Sequence, residues 1–415
     1  MKMTAKERDH IRELAKRQVE IATLPVMEER RRKWYILNNG ETSEPLVSIE
    51  YNGLRDQFFP KCVCESEFAQ DIEQQFNTLF SYYQLNDDRV IPGYFSVPIR
   101  NDFVPFGINV ELSSHIEESM GYAFDYPIQD LERDIHLLKK STATVDSGLK
   151  KAINRKAEIE AVIGDIMPVK IESHPFNVNL GYTFCTLMGM ENMFVMMYDY
   201  PELFHKAMSQ LTEDLLEFMD AIESQGAILP NNDGTHLFQG SFGYTNDLPS
   251  AGEIQGDVKF SDLWGYCNFQ ETTGMNPQMF DEFFFSYMKK ITDRFGLLSY
   301  GCCEPVDGLW DLCLSRLKNL RKLSVSPWCN EEFIAERIRG KKIVYHRKPF
   351  ANFISVDEVF DEETFSEHIA KSVKIAAGCP LEVTFREELT LRGEPWRLKR
   401  AVELVKEQFV EYWRG

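Results

Sequence analysis

The strongest constraint on the fold is an alternation: short apolar runs of strand length are separated by long stretches with helical periodicity, repeatedly along 415 residues. A chain built this way pairs its strands in parallel and covers them with the intervening helices. The strand candidates are "LVSIEY" (46–51), "YFSVPI" (94–99), "MPVKIE" (167–172), "GAILP" (226–230), "LLSYG" (297–301), "LRKLSVSP" (320–327), "KIVYH" (342–346) and "LEVTF" (381–385). Between them, "YPELFHKAMSQLTEDLLEFMDAIESQG" carries Pro201 at a helix start, apolar residues from Leu203 to Ile222 at helical spacing, and Gly226 as its stop. "NPQMFDEFFFSYMKKITDRFG" and "DEETFSEHIAKSVKIAAG" are helices that feed the next strands. Eight strands with helices between them predict an α/β fold, a single (β/α)8 TIM barrel over residues 46–415. It is preceded by a helical extension over 1–45 and carries long insertions. Residues 231–277 follow the fourth expected strand, are too long for an ordinary loop and too aromatic for disorder, and are expected to form a lid.

In such a barrel chemistry gathers at the carboxyl ends of the strands. Those ends carry Glu50, Arg100, His174 with Asn177, Asp233 with His236, the run Cys302, Cys303 and Glu304, Trp328, the run His346, Arg347 and Lys348, and Arg386 to Glu388. The stretch "GLLSYGCCEPVDGLW" stands out. Adjacent residues on a strand face opposite ways, so two neighbouring cysteines share a site only where the chain turns, as Gly301 and Pro305 suggest. Cys302 and Cys303 with Glu304 are candidate zinc ligands, to be completed from other strand ends by Glu387 or Glu388, His346 or His236. The alternative is that one cysteine is core, the other is exposed, and Glu304 caps a helix beginning near Val306. Asp233 is a candidate general acid or base and His236 a ligand or proton carrier. Asn177, Tyr300, Arg347 and Lys348 are expected to bind substrate, the two cations through an anionic group or else salt-bridged to a neighbouring acid. "CVC" at Cys62 and Cys64 offers a second, weaker metal-site pattern.

Composition removes several classes. A net charge of −19 argues against nucleic acid, because clustered cations must dominate where phosphate is bound, and the one basic run, Arg30 to Lys33, follows Glu28 and Glu29. No apolar run is long enough to span a membrane, and the N-terminus lacks a signal-peptide pattern. Nine scattered cysteines fit a reducing, cytoplasmic compartment rather than a disulfide framework. Gly-rich phosphate loops and the GxSxG elbow are absent, which disfavours nucleotide cofactors and serine hydrolysis.

Taken together, "HPFNVNLGYTFCTLMGMENMFVMMYDYPELFHKAMSQLTEDLLEFMDAIESQGA", "MNPQMFDEFFFSYMKKI", "YGCCEPVDGLWDLCLSRLKNLRKLSVSPWCN" and "RGEPWRLKRAVELVKE" resemble the uroporphyrinogen decarboxylase superfamily over roughly residues 160–410. The resemblance implies a single (β/α)8 barrel. The family's decarboxylases carry an arginine-rich first strand, whereas this region reads "EYNGLRDQFF" with Arg55 alone. The closer resemblance is to the zinc-dependent corrinoid methyltransferases and O-demethylases, whose His-x-Cys position is occupied here by "YGCCEP", with Glu387 or Glu388 near the place of the last ligand. It implies zinc at Cys302 or Cys303 with an acidic residue, activating a methylated, by preference methoxylated, small molecule. The methyl group would pass to the cob(I)alamin of a separate corrinoid protein, since the chain has no DxHxxG cobalamin stretch of its own. A homodimer is common in that superfamily. The alternatives are a metal-free decarboxylase using Asp233 and Arg347, and a non-catalytic barrel that binds a tetrapyrrole or corrinoid.

Overall fold

The computed structural model describes residues 3–50, 55–115, 122–386 and 390–414. Two helices open it, α1 (Ala5–Ala22) and α2 (Pro25–Asn38). The first is started by a capping box in which Thr4 and Glu7 satisfy each other's backbone amides, and the second by Pro25 in its first turn. Both pack with α3 (Glu67–Gln84), α4 (Asp146–Ile163) and a two-stranded parallel sheet of β2 (Phe95–Pro98) and β3 (Val169–Glu172) around a core of their own. Ile11, Trp34, Phe76, Phe95, Ile159 and Val169 are among its members.

The main sheet has seven parallel strands: β1 (Leu46–Ile49), β4 (Phe176–Val178), β5 (Trp264–Cys267), β6 (Leu297–Tyr300), β7 (Leu320–Val325), β8 (Val344–Arg347) and β9 (Leu381–Phe385). Their order is β1-β9-β8-β7-β6-β5-β4, the curl of a barrel-like α/β fold. Five of them stand where the sequence places strands. "YFSVPI" and "MPVKIE" are strands too, but they pair with each other outside this sheet, and "GAILP" is extended without strand pairing. β4 and β5 were not expected, being three and four residues long among glycines and polar residues that read as loop.

Among the described residues no strand pairing closes the gap from β4 to β1. The free edge of β1 is satisfied instead by an irregular segment: the Val47 and Ile49 amides donate to the carboxylates of Asp88 (2.8 Å) and Asp87 (3.2 Å), and the Asp88 amide donates to the Val47 carbonyl (2.8 Å). Burial pushes the Asp87 carboxyl up.

Into the interior beside this gap goes the expected lid. The hairpin bridged at His236 and Phe242 turns through three successive left-handed residues, Phe238, Gln239 and Gly240, with φ of 65°, 56° and 76°. Ser48 Oγ donates to the Gly240 carbonyl at 2.9 Å, and a side chain at 240 would collide with Cγ2 of Thr384. Leu237, Gln239, Ser241, Phe242 and Tyr244 are buried. The segment is a plug rather than a lid, because its aromatic residues join the core instead of covering the mouth.

The inward face of the sheet is polar. Register places Ser48 beside Thr384, Glu382 beside His346, and Ser324 beside His346. At the bottom the fully buried Lys322 Nζ meets Glu382 Oε2 at 2.8 Å and Ser241 Oγ at 2.5 Å, and lies 5.1 Å from the Trp34 ring of α2. In the next layer His346 Nε2 is 2.9 Å from Thr384 Oγ1. The candidate site rests on these layers.

Candidate active site at the carboxyl ends of the strands

The turn after β6 depends on Gly301, because its φ is +99° and a Cβ there would lie 2.9 Å from the Ser324 Cβ, which leaves no place for a side chain. Released from strand geometry, Cys302 and Cys303 turn to the same side and their sulfurs lie 3.4 Å apart. Cys302 is buried and Cys303 half-buried. Ser324 Oγ (2.7 Å) and Lys348 Nζ (3.2 Å) hold the Cys302 carbonyl, and Arg386 Nη1 stands 3.2 Å from its sulfur.

The hydrogen bond from Cys303, against the opposing effect of burial and assisted by the Lys348 and Arg386 charges, brings the Cys302 thiol down from 9.0 to about 7. The cations are fixed in turn: Arg386 Nε pairs with Glu50 Oε2 at 2.6 Å, and Lys348 Nζ donates to Gln239 Oε1 of the plug at 2.7 Å. Burial pushes Glu50 up, but Arg386 and then His236 outweigh it and hold the carboxyl below its ordinary value. His236 Nε2 lies 3.5 Å from Glu50 Oε1, and burial brings its imidazole down to about 4.

Two cavities meet at this pair. One, of about 440 Å³, is lined by Cys302, Cys303, Lys348 and Arg386 with Trp328 and Phe350. The other, of about 770 Å³, is lined by Cys303, Trp328, Cys185, Tyr182, Tyr126 and Glu271 among others. Cys303 and Trp328 belong to both. Glu271 is buried, neither of its oxygens has a hydrogen-bond partner, and burial raises its carboxyl from 4.5 to about 7.

The expected site residues separate into those that converge and those that do not. Cys302, Cys303 and Lys348 line the first cavity, and His236 reaches the site through Glu50. Glu304 stays beside the cysteines, but its carboxylate accepts from the backbone amides of Phe269 (2.9 Å) and Cys302 (2.8 Å) and ties two loops together. His346 lies a layer below, on Thr384. Arg347 faces outward into the helical layer, where it pairs with Glu331 at 2.9 Å and donates to Ser372 and the Ser326 carbonyl, so it cannot bind substrate. Tyr300 is on that same outward face of β6 and is packed in the core. Asp233 lies apart from the cysteines, exposed at another cavity, with Arg31 (3.3 Å) and Tyr35 (3.1 Å) of α2 as partners. Asn177 is exposed on β4. Glu387 lies outside the described residues.

A zinc ion takes two thiolates 3.4 Å apart readily, and the lowered Cys302 thiol is of the kind such an ion needs. The pair therefore fits as a two-sulfur anchor. Glu304 and His346 do not complete it, being engaged as described. Among the described residues the one group of three donors close enough to hold a metal is His10, Cys64 and Glu73, at the "CVC" stretch. There the Glu73 carboxylate is already met by His10 Nε2 (3.1 Å) and the amides of Val63 and Cys64, and burial raises the Cys64 thiol to about 12.

Glu50 and Arg386 stand among the strand-end residues the sequence singles out but have no role assigned there, and Gln239 and Glu271 are not among the expected residues at all. Gln239 and Glu271 carry no sequence signal, one lying in a turn and the other in an ordinary polar run.

No protein-family model matches the chain, and a search of curated proteins finds no match. Among solved structures the chain is similar to a methyltransferase from Methanosarcina mazei at a TM-score of 0.48 and 12% identity, over 92% of this chain and 98% of that one. Among the described residues no helix is long and apolar enough to cross a membrane.

Proposed function

We propose that this chain is a methyltransferase that moves a methyl group from a small methylated molecule to the cob(I)alamin of a separate corrinoid protein docked over the strand ends. The observation that carries the reading is the vicinal thiol pair, one member held near ionisation by its neighbour's hydrogen bond and by two fixed cations, with Cys303 in the lining of two cavities. Arg386 and Lys348 stabilise negative charge on Cys302, Glu50 and Gln239 keep the two cations in place, and Glu304 fixes the loop that presents the thiols. Zinc, with Cys302 and Cys303 as its protein anchor, would supply Lewis-acid activation of the methyl donor. Two confluent cavities suit a reaction with two separately delivered partners. The electron pair for the new carbon–cobalt bond comes from cobalt(I), and the donor heteroatom leaves with the pair of the bond that breaks.

A decarboxylase built on Asp233 and Arg347 finds no support, because one residue lies away from the thiol pair and the other faces the helices. The test is metal analysis of protein purified without chelator, beside Cys302→Ala and Cys303→Ala, followed by spectroscopic monitoring of cob(I)alamin consumption with methylated compounds. About one zinc per chain, lost in a variant, with methylcobalamin formed, is the expected result. A protein that takes no zinc and consumes no cob(I)alamin refutes the reading.

A further inference from the structure

The second cavity is aromatic on several sides and acidic at one point. Phe124, Tyr126, Tyr182 and Trp328 supply its rings, and among the described residues no Lys, Arg or His lines it. Tyr126, Tyr182 and Trp328 are 38%, 40% and 61% exposed, so the rings form an accessible rim rather than a closed core. Glu271 is 4% exposed, and neither oxygen has a hydrogen bond of good geometry; its own amide and the Gln270 side chain approach it, but burial outweighs both. Helix α5 (Leu180–Met188) approaches it closely because position 181 is glycine: a Cβ there would lie 3.3 Å from Glu271 Oε2. Among the described residues the titratable groups around the carboxyl are Glu304, Cys267, Cys185 and Tyr300, none of them a cation.

A buried carboxyl without a partner is costly, and the chain keeps one at the wall of an open cavity. Each ligand class meets this wall differently. An anion would add a third negative group beside Glu271 and Glu304. A neutral apolar ligand would fill the aromatic rim and leave the carboxyl still unsatisfied. A methylated ammonium ion satisfies both, its charge opposite the carboxylate and its methyl groups against the ring faces, as in aromatic cages for quaternary ammonium.

We infer that this cavity binds a cationic N-methylated small molecule, with Glu271 as its counter-ion and the four rings as its cage. As the identity of the methyl donor, the inference rests on the methyltransferase reading; as a binding site, it does not. A quaternary nitrogen has no lone pair for zinc, so with this donor the metal held by the thiols would not activate the leaving group, and the chemistry balances without an acid: the carbon–nitrogen bond breaks, nitrogen keeps the electron pair, and the amine leaves neutral while cobalt(I) supplies the pair for the new bond. Loss of the positive charge also removes the attraction to Glu271, which favours product release.

The experiment is calorimetric titration of the full chain with choline and with its uncharged isostere 3,3-dimethylbutan-1-ol, above the Glu271 midpoint of about 7. Choline is expected to bind at least about tenfold more tightly than the isostere, and Glu271→Gln to lose about tenfold for choline but not for the isostere. Tyr182→Leu, which leaves the carboxyl in place, is expected to weaken choline too. Equal affinity for the two probes, no choline binding by the wild-type chain, or choline affinity unchanged in Glu271→Gln overturns the inference. Choline binding by a chain that takes no zinc and transfers no methyl group to cob(I)alamin from choline or any methoxylated compound would refute the methyltransferase reading and leave this site standing. Methyl transfer from a methoxylated compound by a chain that ignores choline would do the reverse.

Discussion

Lys322 and Glu382 form the deepest ion pair of the sheet interior, both fully buried, and removing either charge alone should cost far more than removing both. In Lys322→Met, Glu382 loses its 2.8 Å partner and keeps the Ser241 hydroxyl at 3.0 Å and His346 Nε2 at 3.8 Å from Oε1, an oxygen already lacking a hydrogen bond. Breaking one side of a buried pair costs about 3–5 kcal/mol, and the surviving serine contact places this variant near about 3 kcal/mol. In Glu382→Leu, Lys322 retains Ser241 and the Trp34 ring at 5.1 Å, so a loss of similar size is expected. The double variant leaves no uncompensated charge and should lie within about 1 kcal/mol of the parent. Urea unfolding of the four proteins gives the cycle directly. A double variant that loses the sum of the single losses, about 6 kcal/mol, would show that the two side chains do not act as a pair and would refute the layered interior.

Other predictions follow from single contacts. Gly240→Ala must place a side chain against Thr384 at a left-handed backbone, and should lose about 2–5 kcal/mol by denaturation. Alkylation of Cys302, followed by peptide mass analysis against pH, should show a midpoint near 7 that rises by at least about one unit in Cys303→Ala, because the bond from Cys303 is the largest cause of the shift; an unchanged midpoint contradicts this. Glu271 has its folded carboxyl raised from 4.5 to about 7, so the unfolded chain releases this proton first and stability falls as pH rises through that window. The margin of Glu271→Gln over the parent should therefore grow between these values by up to about 3 kcal/mol, as read from unfolding at several pH values.

The regular parts of this architecture were legible. Helical periodicity and Pro201 located the Pro201–Ser224 helix, and β1 and β6 to β9 stood at their apolar runs. The turn at Gly301 that brings two adjacent cysteines to one side was legible from Gly301 and Pro305. Strand alternation also held a signal that went unused: Arg347 and Lys348 are neighbours on a strand, so only one can face the interior, and the same parity turns Tyr300 outward from Ser299. The plug was not legible, because whether a turn-rich aromatic segment lies over a barrel or inside it depends on the gap between β4 and β1, which is a property of the assembled sheet. Glu271 was hidden for a related reason. Its burial comes from helix α5 closing on it across Gly181, and nothing in "FQETTG" announces that approach.

Trp328 stands between the two cavities, 61% exposed and edge-on to Phe350 at 5.9 Å. An indole in that position is a built-in optical probe of both chambers. Its emission should respond to a cation entering on one side and to a reagent reaching the thiols on the other, and the order in which two ligands alter it would give the order of their binding without any added label.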